Sequence, residues 1–313
     1  MTSPTPSVGS VGQGPDPSHL EAILDFLRAG LSHAESVFRI GPGLLPENAL
    51  FSIARLEALL ANPLLSPEWL QVSLRGQVVP VADDQMWKTV QKKRLQFIDK
   101  RRLVQALEAG ASVVLEGLDL QDQGINALVR EIDQLMPCAL SNCEAFFSRP
   151  SNEAYGGHRD SDDVLVIQVS GQKRWRVHAP QRRRYHGNSP LTEQQMGPLL
   201  KEFVMNPGDL LYVRAGVPHR CTTPGSHSLH LSFDLCDRTP NIEQISAAGM
   251  SLYNQGAADC HADPAAVVQR YVELVTEPGF IRELDAARAN IRKEASAFRD
   301  RIHAAGLRPR LKP

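Results

Sequence analysis

Apolar residues recur at helical spacing near the N-terminus and at strand-like spacing through the middle of the chain. Between Leu20 and Leu31 they step by three and four residues, which predicts a helix that begins with Ser18 as its cap. Further helices are predicted at 46–60, 101–109 and 123–135. Prolines interrupt the stretch from 62 to 99, where we expect edge strands and loops.

Between residues 137 and 237 the pattern is almost entirely extended. Short apolar and β-branched runs alternate with turns rich in Gly, Pro, Ser and Asp. The predicted strands are 139–148, 164–169, 173–178, 202–205, 210–213 and 229–235. Many short strands punctuated in this way favour a mainly β protein with a closed or double-sheet antiparallel core, of which the jelly roll is one common form.

The pattern becomes helical again from residue 241. The stretch 278–305 carries one apolar stripe, which has to be buried against the β core or against a second copy of the chain. We favour the second copy, a homodimer through these helices. The predicted organisation is a disordered tail at 1–17, a β domain with N-terminal helices at 18–240, and a C-terminal helical segment at 241–313.

Composition narrows the class of protein. The 313 residues have a net charge of −1 and no apolar run long enough for a membrane span, and the N-terminus lacks a signal sequence. We therefore expect a cytoplasmic protein with no membrane association and no direct nucleic-acid binding. Five cysteines without CxxC spacing argue for reduced thiols, which is compatible with ferrous iron.

The candidate chemistry lies in a histidine and acid triplet, His158-Arg159-Asp160, which opens a buried strand. His158 and Asp160 are two apart on extended chain, so both side chains point the same way. His219 is the natural third ligand, since it follows a Pro-Gly-Asp turn, a strand and a proline. Two imidazoles and one carboxylate form the ligand set of non-haem Fe(II) sites with open positions.

Other histidines compete for the same role. His227 and His230 follow His219 closely, and His230 on a strand could replace His219 or lie beside the metal ligands. A second triplet, His261-Ala262-Asp263, precedes a proline and a helical run, so we interpret its aspartate as a helix cap.

Lys173 indicates an anionic ligand near this site. It shares one strand face with Trp175 and Val177, so it is carried inward if those apolar side chains are buried. A buried ammonium is costly unless an anion meets it, and a dicarboxylate co-substrate would be such an anion. The alternative is a flipped strand with Arg174 inside.

As an ordered set, these residues resemble the Jumonji-C family of cupin-like 2-oxoglutarate oxygenases, and in particular its ribosomal-oxygenase branch. The residues that carry the resemblance are His158, Asp160, Asp163, Val164, Gln168, Gly171, Lys173, Trp175, Pro207, Gly208, Asp209, Pro218 and His219. The resemblance implies a double-stranded β-helix fold and a helical dimerisation segment. It also implies Fe(II) on His158, Asp160 and His219, O₂ as oxidant, and 2-oxoglutarate paired with Lys173.

Two departures accompany the resemblance. Relatives often carry Asn and Tyr near the co-substrate where this chain has Glu144 and Phe146, and Asn142 would compensate after a local shift. The branch usually continues into a winged-helix domain, and this sequence ends at Pro313. We expect Asn142, Phe146 and Ser232 to complete the co-substrate pocket.

The function that follows is hydroxylation of a side chain in a protein or peptide, which includes a peptide natural-product precursor. The metal motif alone leaves open N-demethylation, a cupin module that binds metal without oxidation, and an interaction scaffold. Tyr155, Arg159 and Arg220 are the predicted substrate contacts. A basic rim that adds Arg149, Arg182, Arg183, Arg184 and Tyr185 would suit an acidic or extended peptide.

Overall fold

The computed structural model describes residues 15–33, 36–75, 77–90, 93–136, 141–150, 155–180 and 191–236, and four residues beyond these, 269, 272, 273 and 276. The chain divides into two compact units, residues 1–135 with 141–236 and residues 136–140 with 237–313. The candidate chemistry lies in the first unit.

Helices of the first unit precede or flank the strands. They are α1 (Pro17–Ser32), α2 (Ile53–Ala61), α3 (Lys100–Glu108), α4 (Leu118–Gln121), α5 (Gln123–Asp133) and α6 (Glu193–Met196), with a short 3₁₀ helix at Pro67–Trp69. Asp16, rather than the predicted Ser18, caps α1, because its side chain accepts a hydrogen bond from the Ser18 N–H. α2 begins after Ser52 and not at Pro46, since Asn48 has a left-handed φ of 57° that a helix cannot include.

Thirteen strands are found within the described residues. They are β1 (Phe38–Gly41), β2 (Leu70–Leu74), β3 (Gln77–Val78), β4 (Ala82–Val90), β5 (Lys93–Ile98), β6 (Ser112–Leu115), β7 (Asn142–Ser148), β8 (Asp163–Gly171), β9 (Lys173–His178), β10 (Leu199–Met205), β11 (Leu210–Val213), β12 (His219–Thr222) and β13 (Ser228–Leu235). All the predicted strands of the central region are present. β1 and β12 were not predicted.

The strands form an antiparallel sandwich. The large sheet runs β1-β11-β8-β13-β7-β6-β2-β3, a second sheet runs β10-β9-β12, and β4 pairs with β5 as a separate hairpin. Val166 and Leu211 from the large sheet pack with Trp175, Val177 and other buried residues of the second sheet in one core. Burying these apolar faces against each other stabilises the double-sheet arrangement. The predicted jelly-roll class is confirmed for this unit.

A tight turn fixes the start of β11. Gly208 has a φ of 87°, and a Cβ there would lie 1.8 Å from the carbonyl oxygen of Leu45, so this position requires glycine. Asp209 accepts hydrogen bonds from the backbone N–H groups of Gly43 (2.7 Å) and Asn206 (2.8 Å). The turn therefore ties β11 to the chain that follows β1.

The predictions for the termini fall largely outside the described residues. These are the disordered tail, the helices at 241–313, their role in a homodimer, and the helix cap at Asp263. In the second unit, Gln269, Val272, Glu273 and Thr276 are helical. Among the described residues, no helix is both long and apolar enough to cross a bilayer.

Candidate metal centre

His158 and His219 are held side by side by the backbone. The His158 N–H donates to the carbonyl oxygen of His219 at 3.0 Å, and the His219 N–H donates back at 2.8 Å. His219 also begins β12 and pairs with Val177 of β9. The second sheet therefore extends through His219 to His158, and this pairing brings together two residues 61 positions apart in sequence.

Asp163 fixes the loop that leads from β11 to His219. Its carboxylate accepts hydrogen bonds from the Tyr212 hydroxyl and from the Ala215 N–H, the latter at 2.8 Å. The Gly216 N–H donates to the Asp160 carbonyl oxygen at 2.8 Å. These contacts join the segment that carries His158 and Asp160 to the segment that carries His219.

The three predicted ligand side chains converge. One potential ligand atom from each of His158, Asp160 and His219 lies within 4.8 Å of the others. His158 Nε2 is 3.6 Å from Asp160 Oδ1, and His219 Nε2 is 3.5 Å from Asp160 Oδ2. These spacings suit three ligands that share one ion between them.

Hydrogen bonds orient both imidazoles for metal binding. Nδ1 of His158 lies 2.9 Å from the carbonyl oxygen of Gly156, and Nδ1 of His219 lies 3.1 Å from that of Val217. A carbonyl oxygen can only accept, so each Nδ1 carries a proton, and Nε2 is the nitrogen of each ring that faces Asp160 and could bind a metal. Burial, with a further contribution from His158, lowers the pKa of His219 to about 4, so it is neutral at physiological pH.

The centre opens into a cavity of about 580 Å³ in the first unit. Its lining includes Phe146, Tyr155, Lys173, Trp175, His230 and Ser232 in addition to the three ligand residues. A cavity of this volume is within the usual range for small-molecule sites.

Lys173 lies inside the protein, as its position beside Trp175 and Val177 predicted. The side chain is 3% exposed, whereas Arg174 on the opposite face of β9 is exposed. Its ammonium donates to Ser148 Oγ at 2.8 Å and to Thr223 Oγ1 at 3.5 Å. Both partners are hydroxyls, and these two contacts hold the ammonium at this position of the cavity wall.

We call the part of the cavity formed by Lys173 and His230 the lysine end. His230 is 5% exposed and stacks on Phe146 at a ring distance of 4.9 Å. Its Nδ1 and the Nε1 of Trp175 are both buried and find no hydrogen-bond partner among the described residues. Buried polar atoms of this kind are usually paired, so an acceptor-rich ligand fits this end.

We call the part formed by Glu116, Glu144 and Asp234 the carboxylate end. Burial, followed by repulsion from Asp234 and Glu116, raises the pKa of Glu144 to about 8. Burial, followed by repulsion from Asp160, raises the pKa of Asp234 to about 6. Sequence reasoning marked Glu144 as a departure from the family pattern and missed its two acidic neighbours, which reach it from other parts of the chain.

Of the other residues predicted to contact the co-substrate or the substrate, some line the cavity and others do not. Phe146, Tyr155 and Ser232 line the cavity, and the Tyr155 hydroxyl donates to Gln71 Oε1 at 3.1 Å. Asn142 lies opposite Asp234 in the β7–β13 pairing and is not among the lining residues. Ser148 and Thr223 contact Lys173 and were not predicted.

The predicted basic contacts do not gather in the cavity. Arg159 is 5% exposed, and Arg220 pairs with Glu193 at 2.6 Å; neither is among the lining residues. Arg149 is exposed. Residues 182–185 lie outside the described part of the chain, so the proposed rim stays a prediction.

Comparisons with known proteins agree with this fold. Residues 120–245 match the family model of the JmjC domain. The bifunctional lysine-specific demethylase and histidyl-hydroxylase NO66 of Aedes aegypti is 27% identical over 133 residues, which are 41% of this chain and 21% of that protein. Ribosomal oxygenase 1 of Gallus gallus is 29% identical over 99 residues, 30% of this chain and 16% of that protein.

Solved structures with the same fold include ycfD of E. coli, a ribosomal oxygenase. One structure aligns with a TM-score of 0.56 at 17% identity over 84% of this chain and 70% of that chain. Another, in complex with cobalt and 2-oxoglutarate, aligns with a TM-score of 0.53 at 16% identity over 85% of this chain and 70% of that chain.

The β sandwich and its histidine and aspartate centre define a cupin-type protein. Within that class, residues 120–245 match the JmjC domain, as the motifs indicated, and the chain is similar to ribosomal oxygenases. The chain spans about a fifth of the length of the curated relatives that it matches first.

Proposed function

We propose that the protein is an Fe(II)- and 2-oxoglutarate-dependent dioxygenase that hydroxylates an amino-acid side chain in a protein or peptide. The observation that carries this proposal is the convergence of His158, Asp160 and His219 at the floor of a cavity that also contains the buried Lys173. The family match supports the class of chemistry. The co-substrate and a protein substrate are supported by the relatives, which include a ribosomal oxygenase solved with 2-oxoglutarate and a histidyl-hydroxylase.

The residues present fit the implied metal. His158 and His219 offer oriented nitrogens, and Asp160 offers a carboxylate between them. This is the 2-His-1-carboxylate set that suits Fe(II) and leaves coordination positions for other ligands. When bound, iron with 2-oxoglutarate and O₂ supplies the oxidation: one oxygen atom enters a substrate C–H bond, and the other enters succinate as CO₂ is lost.

The residues present also fit the co-substrate. Lys173 supplies a buried positive charge for one carboxylate, and the Ser148 hydroxyl orients the ammonium by accepting a hydrogen bond from it. The apolar walls made by Phe146, Trp175 and Val164 limit the access of water to the reacting groups. Tyr155 lies partly exposed where the cavity opens, and we assign it to contact the substrate.

Demethylation is the principal alternative, because the related protein NO66 is named as both a demethylase and a hydroxylase. Hydroxylation adds one oxygen to the peptide, whereas oxidation of an N-methyl group removes that methyl as formaldehyde. Mass spectrometry of candidate peptides after incubation with Fe(II), O₂ and 2-oxoglutarate separates the two outcomes. A non-oxidative metal-binding module would give no O₂-dependent succinate with any peptide tested.

A further inference from the structure

We propose that His230 is a second co-substrate residue: its ring N–H donates to the same 2-oxoglutarate carboxylate that Lys173 pairs with. This inference rests on the proposed function. It adds a neutral, directional hydrogen bond to the charge supplied by the lysine. The argument depends on the position, the protonation and the unpaired nitrogen of one buried imidazole.

The position of His230 excludes it from the metal ligands. It lies on β13 opposite Phe146, and its ring is stacked on that phenylalanine with an interplanar angle of 4°. The Trp175 ring stands between the two sites, 6.2 Å from His230 and 5.4 Å from His219. Aromatic neighbours on two sides hold the His230 ring in one plane while it lines the cavity.

The surroundings of His230 keep it neutral. Burial and the nearby charge of Lys173 lower its pKa well below the usual range. A neutral imidazole carries one N–H and one lone pair, so it donates a hydrogen bond without adding a second positive charge to the lysine end. One carboxylate can accept from both groups.

The described part of the chain leaves one nitrogen of this side chain without a hydrogen-bond partner. Nδ1 of His230 is buried with no partner among the described residues. By contrast, His227, which precedes β13, lies 3.0 Å from Ser170 Oγ and 3.1 Å from Ser226 Oγ through its two nitrogens. Leaving a buried polar group unmatched is costly, and a ligand in the cavity removes that cost for His230.

The test measures binding and needs no turnover. Isothermal titration calorimetry of the full chain with Mn(II) bound compares 2-oxoglutarate with 2-oxobutyrate, which lacks the distal carboxylate. Wild-type protein that fails to bind 2-oxoglutarate would overturn the proposed function itself. Given wild-type binding, the variants report on His230 alone.

His230→Phe keeps the ring stack and removes the N–H. We expect it to weaken 2-oxoglutarate binding about 10-fold or more, because the lost bond has a charged acceptor. The affinity for 2-oxobutyrate and for Mn(II) is expected to stay within about twofold of wild type. His230→Gln, which restores an amide N–H, should recover part of the loss, and His227→Phe should cause none.

Two results would overturn the proposal. One is unchanged 2-oxoglutarate affinity in His230→Phe. The other is an equal loss for both ligands, which would place the effect of His230 in packing or at the chelating end of the co-substrate. If His230→Phe does not fold, as judged by circular dichroism, the same decision rests on whether His230→Ala and His230→Gln differ in 2-oxoglutarate affinity.

Discussion

Along β7 and β13 the cavity changes character between the lysine end and the carboxylate end. Ser148, which holds Lys173, and Glu144 are four residues apart on β7, which is about 13 Å of extended chain. At the first position the buried group is a cation held by hydroxyls. At the second position, burial and repulsion between carboxylates raise the pKa values of Glu144 and Asp234.

The difference indicates which ligand belongs at each end. An anion lowers the free energy of the lysine end and would raise that of the carboxylate end, so a dicarboxylate co-substrate has one favourable orientation. A substrate group that enters beside Glu144 and Asp234 is favoured if it is neutral or positively charged. This observation argues against an acidic side chain as the reacting residue, a point on which the predicted basic rim, suited to an acidic or extended peptide, made no statement.

The largest expected effect follows from removing Asp160, the carboxylate of the metal centre that lines the same cavity as the two ends. Asp160→Ala should reduce O₂-dependent succinate formation to the metal-free background, a loss of about 1,000-fold or more, because two imidazoles alone do not hold the ion. His261→Ala is the matched control, since it alters the other His-x-Asp triplet in the chain. Turnover retained in Asp160→Ala would remove the assignment of this site.

A smaller effect is expected at the lysine end. Lys173→Ala should weaken 2-oxoglutarate binding by about 2 kcal/mol, roughly 30-fold, through loss of a charge-assisted hydrogen bond. Arg174→Ala, on the exposed face of the same strand, should leave the affinity unchanged. Calorimetry with Mn(II) measures both. Equal affinities in the two variants would mean that the co-substrate carboxylate binds elsewhere.

The smallest effect is a pH dependence at the carboxylate end of the metal-free protein. The pKa of Glu144 is raised to about 8 on folding, so between its ordinary value of 4.5 and 8 the folded state holds a proton that the unfolded state has lost. Its contribution to the free energy of unfolding therefore falls as pH rises through this window. Glu144→Gln should remove about 1–2 kcal/mol of this decline.

Urea denaturation at pH 5 and pH 9 measures this difference. The free energy of unfolding of Glu144→Gln minus that of wild type should be larger at pH 9 than at pH 5. The same difference for the exposed Glu108→Gln should not change with pH. The prediction is contradicted if wild type and Glu144→Gln differ in free energy of unfolding by the same amount at both pH values. The burial of this carboxylate would then not be unfavourable.

The parts of the site that sequence predicted are those set by local chain geometry. Strands 173–178 and 210–213 have the bounds that their alternation indicated, and the inward position of Lys173 followed from sharing a face with Trp175. His158 and Asp160 point together because they are two apart on extended chain. Ser148 could have been found by the same rule, since it lies two residues beyond Phe146 on the inward face of β7.

The parts that sequence missed depend on distant pairings. Thr223 reaches Lys173 from the end of β12, 50 positions away. The acidity around Glu144 arises because β6 and β13 place Glu116 and Asp234 beside it. Likewise β1 has few apolar residues of its own and is defined by its pairing with β11. No local pattern encodes such contacts.

The most direct test of the central claim is a crystal structure of the protein with Mn(II), in which anomalous scattering locates the ion. We predict one ion bonded at about 2.0–2.4 Å to Nε2 of His158, a carboxylate oxygen of Asp160 and Nε2 of His219. An ion bound elsewhere, with these three side chains left uncoordinated, would contradict the account.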